Sequence, residues 1–346
     1  MRVLVTGGSG FVGGHLVRAL LARGCAVRAM VRPTSQTDSL DGAELVYGDV
    51  TDAASCRDAV AGVDVVYHLA AIRDRWSIPY TDYVAVNVEG TRNLLEAAAG
   101  QVDRFVYCSS VGVLGYPGVL RIDESFPLRP DDGKVFYHRT KAQAEELVLD
   151  FTRQGRLVTT VVRPAITYGP GDDWGMVTRL IAMLKRGTFV HVGSGRNHLH
   201  LCYVSDTVQG LILAGESEQS VGQVYIIAGP EPITLNDLVA KICGLLGQKP
   251  PRWHVPVELV RIAGWVLEGV YAAQARLGLH VLGQSPYLTR DKVDTLAINR
   301  GFSIEKARRE LSYEPLVGYD EGLKLTTAWL ARTRVWPLHQ VRECRL

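Results

Sequence analysis

Over the first 110 residues, short β-branched runs alternate with longer stretches whose apolar positions recur at spacings of three and four, the rhythm of strand-helix-strand units built around a parallel sheet. The runs predict strands at 2–6, 26–31, 44–47, 63–69 and 104–109, with helices at 13–23, 53–61 and 84–99 between them. A further helix at 140–153 leads into a sixth strand at 158–163 and then the turn-rich Tyr168-Gly-Pro-Gly-Asp172. Beyond it the alternation loosens: a helix at 175–186, a strand at 199–204, a helix at 205–214 and a strand at 223–228. From 231 onward the pattern is mostly helical, broken by Pro250, Pro251, Pro256 and Pro286. The expectation is an α/β fold with a doubly wound parallel sheet in residues 1–170, revisited by about 198–229. Residues 171–197 and 230–346 would form a smaller, mostly helical substrate-binding region.

With 47% hydrophobic and 21% charged residues, the chain of 346 can bury a large core and leaves little room for disorder. Thirty-eight basic against 36 acidic residues are too balanced for nucleic acid to be the main partner, so a small-molecule substrate fits better. The six cysteines, Cys25, Cys56, Cys108, Cys202, Cys243 and Cys344, form no CxxC pair, and neither a disulfide framework nor a thiolate zinc site is spelled out. His191, His198 and His200 lack a supporting carboxylate, so no metal is expected. The first apolar run is too short for a signal peptide and no transmembrane run is present, which predicts a cytoplasmic protein with peripheral membrane contact left open.

Directly after the first strand stands Thr6-Gly7-Gly8-Ser9-Gly10-Phe11-Val12-Gly13. Gly8, Gly10 and Gly13 satisfy GxGxxG; Gly7, Gly10 and Gly13 satisfy GxxGxxG. Either register gives a tight turn, close backbone approach to a pyrophosphate and a helix N-terminus aimed at it, as in a Rossmann domain. The second strand runs into Arg32 with no carboxylate before Asp38, and Arg32 suits a 2'-phosphate, so NADP(H) is favoured over NAD(H). After the third strand, Asp49 and the Val50 backbone are placed to contact adenine.

Tyr137 and Lys141 lie four apart at the start of a helical stretch, hence on one face, where an ammonium can draw the phenol pKa down toward the operating pH. Ser109 and Ser110 end a strand at the carboxyl edge of the sheet; Ser110 can donate to a reacting oxygen, and Ser109 can do the same or satisfy backbone. Asn87 sits within a helix that its amide does not favour, which suits either a relay or a backbone wedge.

The ordered set TGGSGFVG, GDV, HLAA, NVEGTRNLLEAA, CSS and YHRTK resembles the extended short-chain dehydrogenase/reductase superfamily, with the likeness running from residue 2 to about 330. The resemblance implies that Ser110, Tyr137 and Lys141 are the catalytic triad and Asn87 a fourth, relay-supporting member. It implies that Gly7, Gly10 and Gly13 line a pyrophosphate, that Phe11, Val12, Leu69, Ala70, Ala71 and Pro164 join the cofactor contacts, and that Lys141 binds the nicotinamide ribose. A homodimer through the helices around 87–99 and 140–153 is also implied. Nucleotide-sugar epimerases commonly carry an Asn where Ile166 stands here, and their diphosphate-clamping Arg has no clean match near Arg196. The segments 163–172, 193–206 and 302–315 look more like the 3β-hydroxysteroid dehydrogenase branch. The helical stretch 255–279, with Trp265, Leu267, Val270 and Tyr271, can build an apolar pocket, face a membrane, or simply pack. The resulting expectation is a dinucleotide-dependent interconversion of a secondary alcohol and a ketone on a hydrophobic, sterol- or lipid-like substrate. The alternatives are a nucleotide-sugar epimerase or dehydratase with tightly bound NAD, and a non-catalytic dinucleotide sensor.

Overall fold

A computed structural model of the chain describes residues 1–73, 78–132, 135–277, 286 and 288–333. Cys344, the rest of the stretch 334–346 and positions 278–279 of the expected apolar helix lie outside the described residues. The strands run β1 (Arg2–Thr6), β2 (Ala26–Val31), β3 (Glu44–Tyr47), β4 (Val65–His68), β5 (Arg104–Cys108), β6 (Thr159–Pro164), β7 (Ile166–Tyr168), β8 (His191–Val192), β9 (His198–Leu199), β10 (Leu201–Tyr203), β11 (Val224–Ile227), β12 (Ile233–Thr234) and β13 (His254–Val255). The helices of the first half are α1 (Phe11–Ala22), α2 (Ala53–Val60), α3 (Tyr80–Tyr83), α4 (Gly90–Ala98) and α5 (Phe136–Arg153), with a π-helical turn at Val84–Glu89 joining α3 to α4. Those of the second half are α6 (Met176–Lys185), α7 (Val204–Glu216), α8 (Leu235–Leu246), α9 (Val257–Arg276), α10 (Arg290–Ala297), α11 (Glu305–Leu311) and α12 (Tyr319–Thr333).

Seven strands form one parallel sheet in the order β11-β6-β5-β4-β1-β2-β3. Strand alternation feeds two cores. Val3 and Val5 of β1 pack with Leu16, Val17 and Leu20 of α1 and with α7, whereas Leu4 packs on the other face with residues of α2, α4 and α5. Because both faces are covered, the strands read as continuous apolar runs. A third core, built from α6, α8 and α12 around Val177, Ile181, Leu238, Ile242 and Leu323, sits beside the sheet.

The expected sheet differs at one place. The stretch 199–204, expected as one strand rejoining the sheet, is two short strands outside it: β9 pairs antiparallel with β12, and β10 pairs parallel with β7. His200 lies between them, its buried ring held by the Gly229 carbonyl at 3.0 Å and the Phe302 N–H at 3.1 Å. Those tertiary bonds anchor the chain where the two pairings part. Only β11 rejoins the large sheet, next to β6. The helix expected from 140 starts one turn earlier, at Phe136, so Tyr137 is helical.

Candidate active site

The order of strands reverses between β1 and β4, which opens a crevice above their carboxyl ends. β1 delivers the glycine loop to this point. Gly7 has φ +72°, and a Cβ there would stand 2.7 Å from the Ala70 nitrogen; at Gly13 a Cβ would meet the Gly7 carbonyl oxygen at 2.1 Å. The Gly10 N–H donates to that same carbonyl at 3.0 Å, closing the turn. At Gly8 an added Cβ finds only ordinary contacts from 3.4 Å outward. Of the two glycine registers, the backbone therefore requires Gly7, Gly10 and Gly13. No acidic residue occupies the first turn of α1, so its positive end is left for an anion. This cradle suits the pyrophosphate of a dinucleotide.

The other expected cofactor contacts gather along the same edge. Phe11 and Val12 begin α1, with Phe11 edge-on to His15. Leu69 and Ala70 are bonded to Thr6 through N–H groups, Ala71 follows them, and Pro164 closes β6. Arg32 is exposed and its guanidinium has no partner among the described residues, while its backbone N–H meets the Ser35 hydroxyl at 3.1 Å. Asp49 accepts from the Thr51 N–H and hydroxyl at 2.9 and 2.8 Å. The Val50 carbonyl takes the Asn93 amide at 2.9 Å, so the N–H is the part of the Val50 backbone open to a ligand.

Around Cys108 the structure brings Ser110, Tyr137 and Lys141 together. The Lys141 ammonium, 2% exposed as a residue, donates to the Cys108 carbonyl at 2.6 Å and lies 4.4 Å from the centre of the Tyr107 ring. Burial lowers its pKa to about 8, against the opposing pull of Cys108 and Glu145. The Ser110 hydroxyl caps the short 3-10 turn Val111–Leu114 by accepting the Gly112 N–H at 3.1 Å, and it stands close enough to Tyr137 to pull the phenol pKa down. Tyr137 departs from expectation. Burial, reinforced by Cys108, pushes its pKa up to about 12, while Arg73 and the Ser110 bond pull the other way. Lys141 is turned to the Cys108 carbonyl, and burial outweighs what pulls the phenol down.

Asn87 is 1% exposed within the π-helical turn. Its amide clamps the Ile72 peptide, accepting the N–H at 2.7 Å and donating to the carbonyl at 3.0 Å, and also donates to Thr140 at 3.0 Å. The backbone-wedge geometry is thus what this structure contains. Sequence reasoning missed the network that continues from it. The Thr91 hydroxyl donates to the Asn87 carbonyl at 2.7 Å and so accepts from Nε2–H of His68 at 2.9 Å. That leaves His68 Nδ1 to accept the Thr6 hydroxyl at 2.7 Å, while Thr6 accepts the Ala70 N–H. One unbroken chain of bonds links the glycine loop to the residue before Lys141. Burial, with Lys141 nearby, holds the His68 pKa down to about 3, so the ring is neutral.

A second network was also missed. Glu145, one helical turn beyond Lys141, accepts from Ser109 at 2.7 Å and from the Arg163 guanidinium; the two charged side chains are 2% and 5% exposed. The available signals were a charged residue inside an apolar strand, Arg163, and an acid at i+4 from Lys141. Ser109 therefore satisfies structure here. Both ring nitrogens of His200 serve the backbone, and His191 stacks on His254 at 4.7 Å.

A model of the NAD dependent epimerase/dehydratase family matches residues 3–228. The chain is similar to a 3 beta-hydroxysteroid dehydrogenase/Delta 5-->4-isomerase of Mycobacterium tuberculosis, with 36% identity across 93% of this chain and 88% of that protein. It is 34% identical to a 4-hydroxy-2-methyl-3-oxo-4-farnesyl-3,4-dihydroquinoline-1-oxide ketoreductase of Stigmatella aurantiaca, over 93% of this chain and 95% of the other. Among solved structures, UDP-glucose 4-epimerase of Thermotoga maritima superposes with a TM-score of 0.76 at 25% identity, covering 96% of this chain and 100% of that one.

Proposed function

The chain belongs to the NAD dependent epimerase/dehydratase family and is an enzyme of the extended short-chain dehydrogenase/reductase type, and from that premise we propose that it interconverts a secondary alcohol and a ketone on a hydrophobic, sterol- or lipid-like substrate. The observation that carries the reading is the convergence of the Tyr137 phenol, the Ser110 hydroxyl and the Lys141 ammonium at the sheet edge that also bears the glycine cradle. The dehydrogenase and ketoreductase relatives support the substrate class, as does Ile166 in the place where sugar-nucleotide epimerases commonly carry an Asn.

Gly7, Gly10, Gly13, the Val50 N–H, Leu69, Ala70, Ala71 and Pro164 would hold the dinucleotide, with Phe11, Val12 and Asp49 beside it. When bound, the nicotinamide supplies or accepts the hydride. The chain's own residues handle the proton. At neutral pH the Tyr137 phenol is protonated, the form that donates to a ketone oxygen, and Ser110 donates a second hydrogen bond to the same oxygen. In the oxidative direction Tyr137 must give up its proton first. Lys141 is suited to favour that loss once it turns from the Cys108 carbonyl toward the cleft. Asn87 holds Ile72 and Thr140 and so fixes the start of α5. Arg32 supports a preference for NADP(H), because its guanidinium, without a partner among the described residues, can pair with a 2'-phosphate. Residues 171–197 and 230–346 would supply the substrate-binding region, and the outer sides of α4 and α5 a homodimer contact.

The test measures NADPH and NADH affinity for the parent, Arg32→Ala and Tyr137→Phe, then turnover of an alcohol and ketone panel holding steroids and sugar nucleotides. Tyr137→Phe should keep dinucleotide affinity and lose roughly 100- to 10,000-fold in turnover. Arg32→Ala should weaken NADPH binding about tenfold or more and leave NADH unchanged. Turnover of a UDP-sugar without added dinucleotide would instead establish the epimerase alternative.

A further inference from the structure

Helix α9 is assembled the wrong way round for a helix facing water. It spans 20 residues, about 30 Å of helix. The charged side chains described past its first turn are both tied to α10: Arg261, its side chain 42% exposed, pairs with Asp294, and Glu268, its side chain 12% exposed, pairs with Arg290 at 2.7 Å. Gly264 lets the backbone of Thr289 and Arg290 approach, since a Cβ there would lie 3.2 Å from them. The outward side, by contrast, is apolar at every exposed described position after Glu258. Leu259 (58% exposed), Ile262 (58%), Val266 (49%) and Val270 (42%) recur at three and four and form one stripe, with Trp265 (62%) along its flank. A stripe this long on a water-exposed helix calls for a partner.

We infer that this stripe docks on the interfacial region of an anionic lipid bilayer, with α9 lying in the plane of the membrane. Two observations favour that occupant. First, Trp253 is 80% exposed beside the start of the helix, and like Trp265 its indole N–H has no partner among the described residues; a ring with an apolar body and a free donor suits the headgroup boundary. Second, Lys249 and Arg252 stand exposed at the same end without an ion pair among the described residues. The contact of Gln248 with the Lys185 carbonyl at 3.4 Å brings the exposed Arg186 close to them. This cationic rim complements anionic headgroups. No described helix is long and apolar enough to cross a membrane, so the docking inferred lays α9 along the bilayer surface.

The docked face is linked to the chemistry. α10, held to α9 by both ion pairs, also receives the Tyr116 hydroxyl, which bonds Asp291 and meets Thr295 at 3.0 Å. Tyr116 follows the turn that Ser110 caps. A bilayer-dissolved substrate would therefore meet the protein on elements that lead directly to Ser110, a use of the surface that rests on the oxidoreductase reading above.

Full-length protein is sedimented with phosphatidylcholine vesicles, with and without phosphatidylglycerol, and tryptophan quenching by brominated phosphatidylcholine is recorded. Sedimentation velocity is run in parallel without lipid. The parent should bind vesicles containing phosphatidylglycerol and show quenching. Val266→Glu should weaken binding by about tenfold or more, and Arg252→Glu should weaken it chiefly toward the anionic vesicles. Circular dichroism should show both variants folded. Absence of vesicle binding by the parent overturns the inference, as does binding indifferent to both substitutions. A fall in oligomeric mass for Val266→Glu without vesicle binding by the parent makes the face a subunit contact and overturns it too. None of these readouts needs turnover, so failure of the alcohol panel alongside sound vesicle binding would retire the redox reading and leave the docking surface standing.

Discussion

At the carboxyl edge of the sheet, His68, Asn87, Thr91 and Glu145 are polar residues buried to 1% exposure or less and bonded to neighbouring elements, whereas on α9 the arrangement is reversed, with ion pairs made to α10 and Leu259, Ile262 and Val266 left exposed. The two regions carry different kinds of information. Buried polar groups tolerate few geometries, because each lost bond leaves a desolvated donor or acceptor, so the edge can hold reacting groups in place. Exposed apolar groups contribute little to the isolated fold. They become favourable only when another phase or molecule covers them.

The largest effect expected from this contrast is at Glu145. Replacing it by Gln strands the buried Arg163 guanidinium and should destabilise the protein by about 3–5 kcal/mol in urea unfolding. A Glu145→Leu, Arg163→Met pair should recover much of that loss. If the single variant unfolds at the parent's urea concentration, the buried pair is not what binds α5 to β6.

Acid probes the same edge. His68 and His200 have pKa values lowered to about 3 and about 4 by burial, so both remain neutral in the folded protein well below the ordinary histidine value. In the unfolded chain they take up protons below about pH 6.5, which means the unfolded state binds more protons and stability falls as pH falls. The loss begins near that value and steepens to about 3 kcal/mol per pH unit for the two together, levelling only below their folded values. A His68→Asn, His200→Asn variant, compared with the parent across pH 7 to 5, should show a flatter profile. Equal slopes would mean that other groups set the acid limit.

The smallest effect sharpens the comparison from the other side. Val266→Glu, which exchanges an apolar side chain for a charge, should alter stability without lipid by no more than about 0.5 kcal/mol, because the site is on the surface. A loss of several kcal/mol would show that residues of the chain itself cover this face.

Much of the first half is legible without coordinates. Arg2–Thr6, Ala26–Val31 and Glu44–Tyr47 are strands with the bounds their residue pattern predicts; in the first two, cover on both faces makes the run apolar along most of its length. Ser110, Tyr137 and Lys141 stand out because their types and spacing carry chemistry. What escaped is everything that depends on a neighbour distant in sequence. Nothing local announces that His68 bridges Thr6 and Thr91 or that the chain changes pairing at His200, and the charge inside β6 hints that Arg163 needs a partner without naming Glu145. The π-helical turn at Asn87 is equally silent, because its clamp on Ile72 forms only when α3 and β4 are in place.

Residue pattern alone determined the parallel sheet, the glycine-rich turn and the candidate set of side chains, since periodicity and side-chain chemistry are properties of the chain. Only the folded molecule decided which glycine register is used, whether Tyr137 is held as phenol or phenolate, and which side of α9 meets water. Those depend on burial and on the approach of distant backbone, and both exist only once the elements have packed.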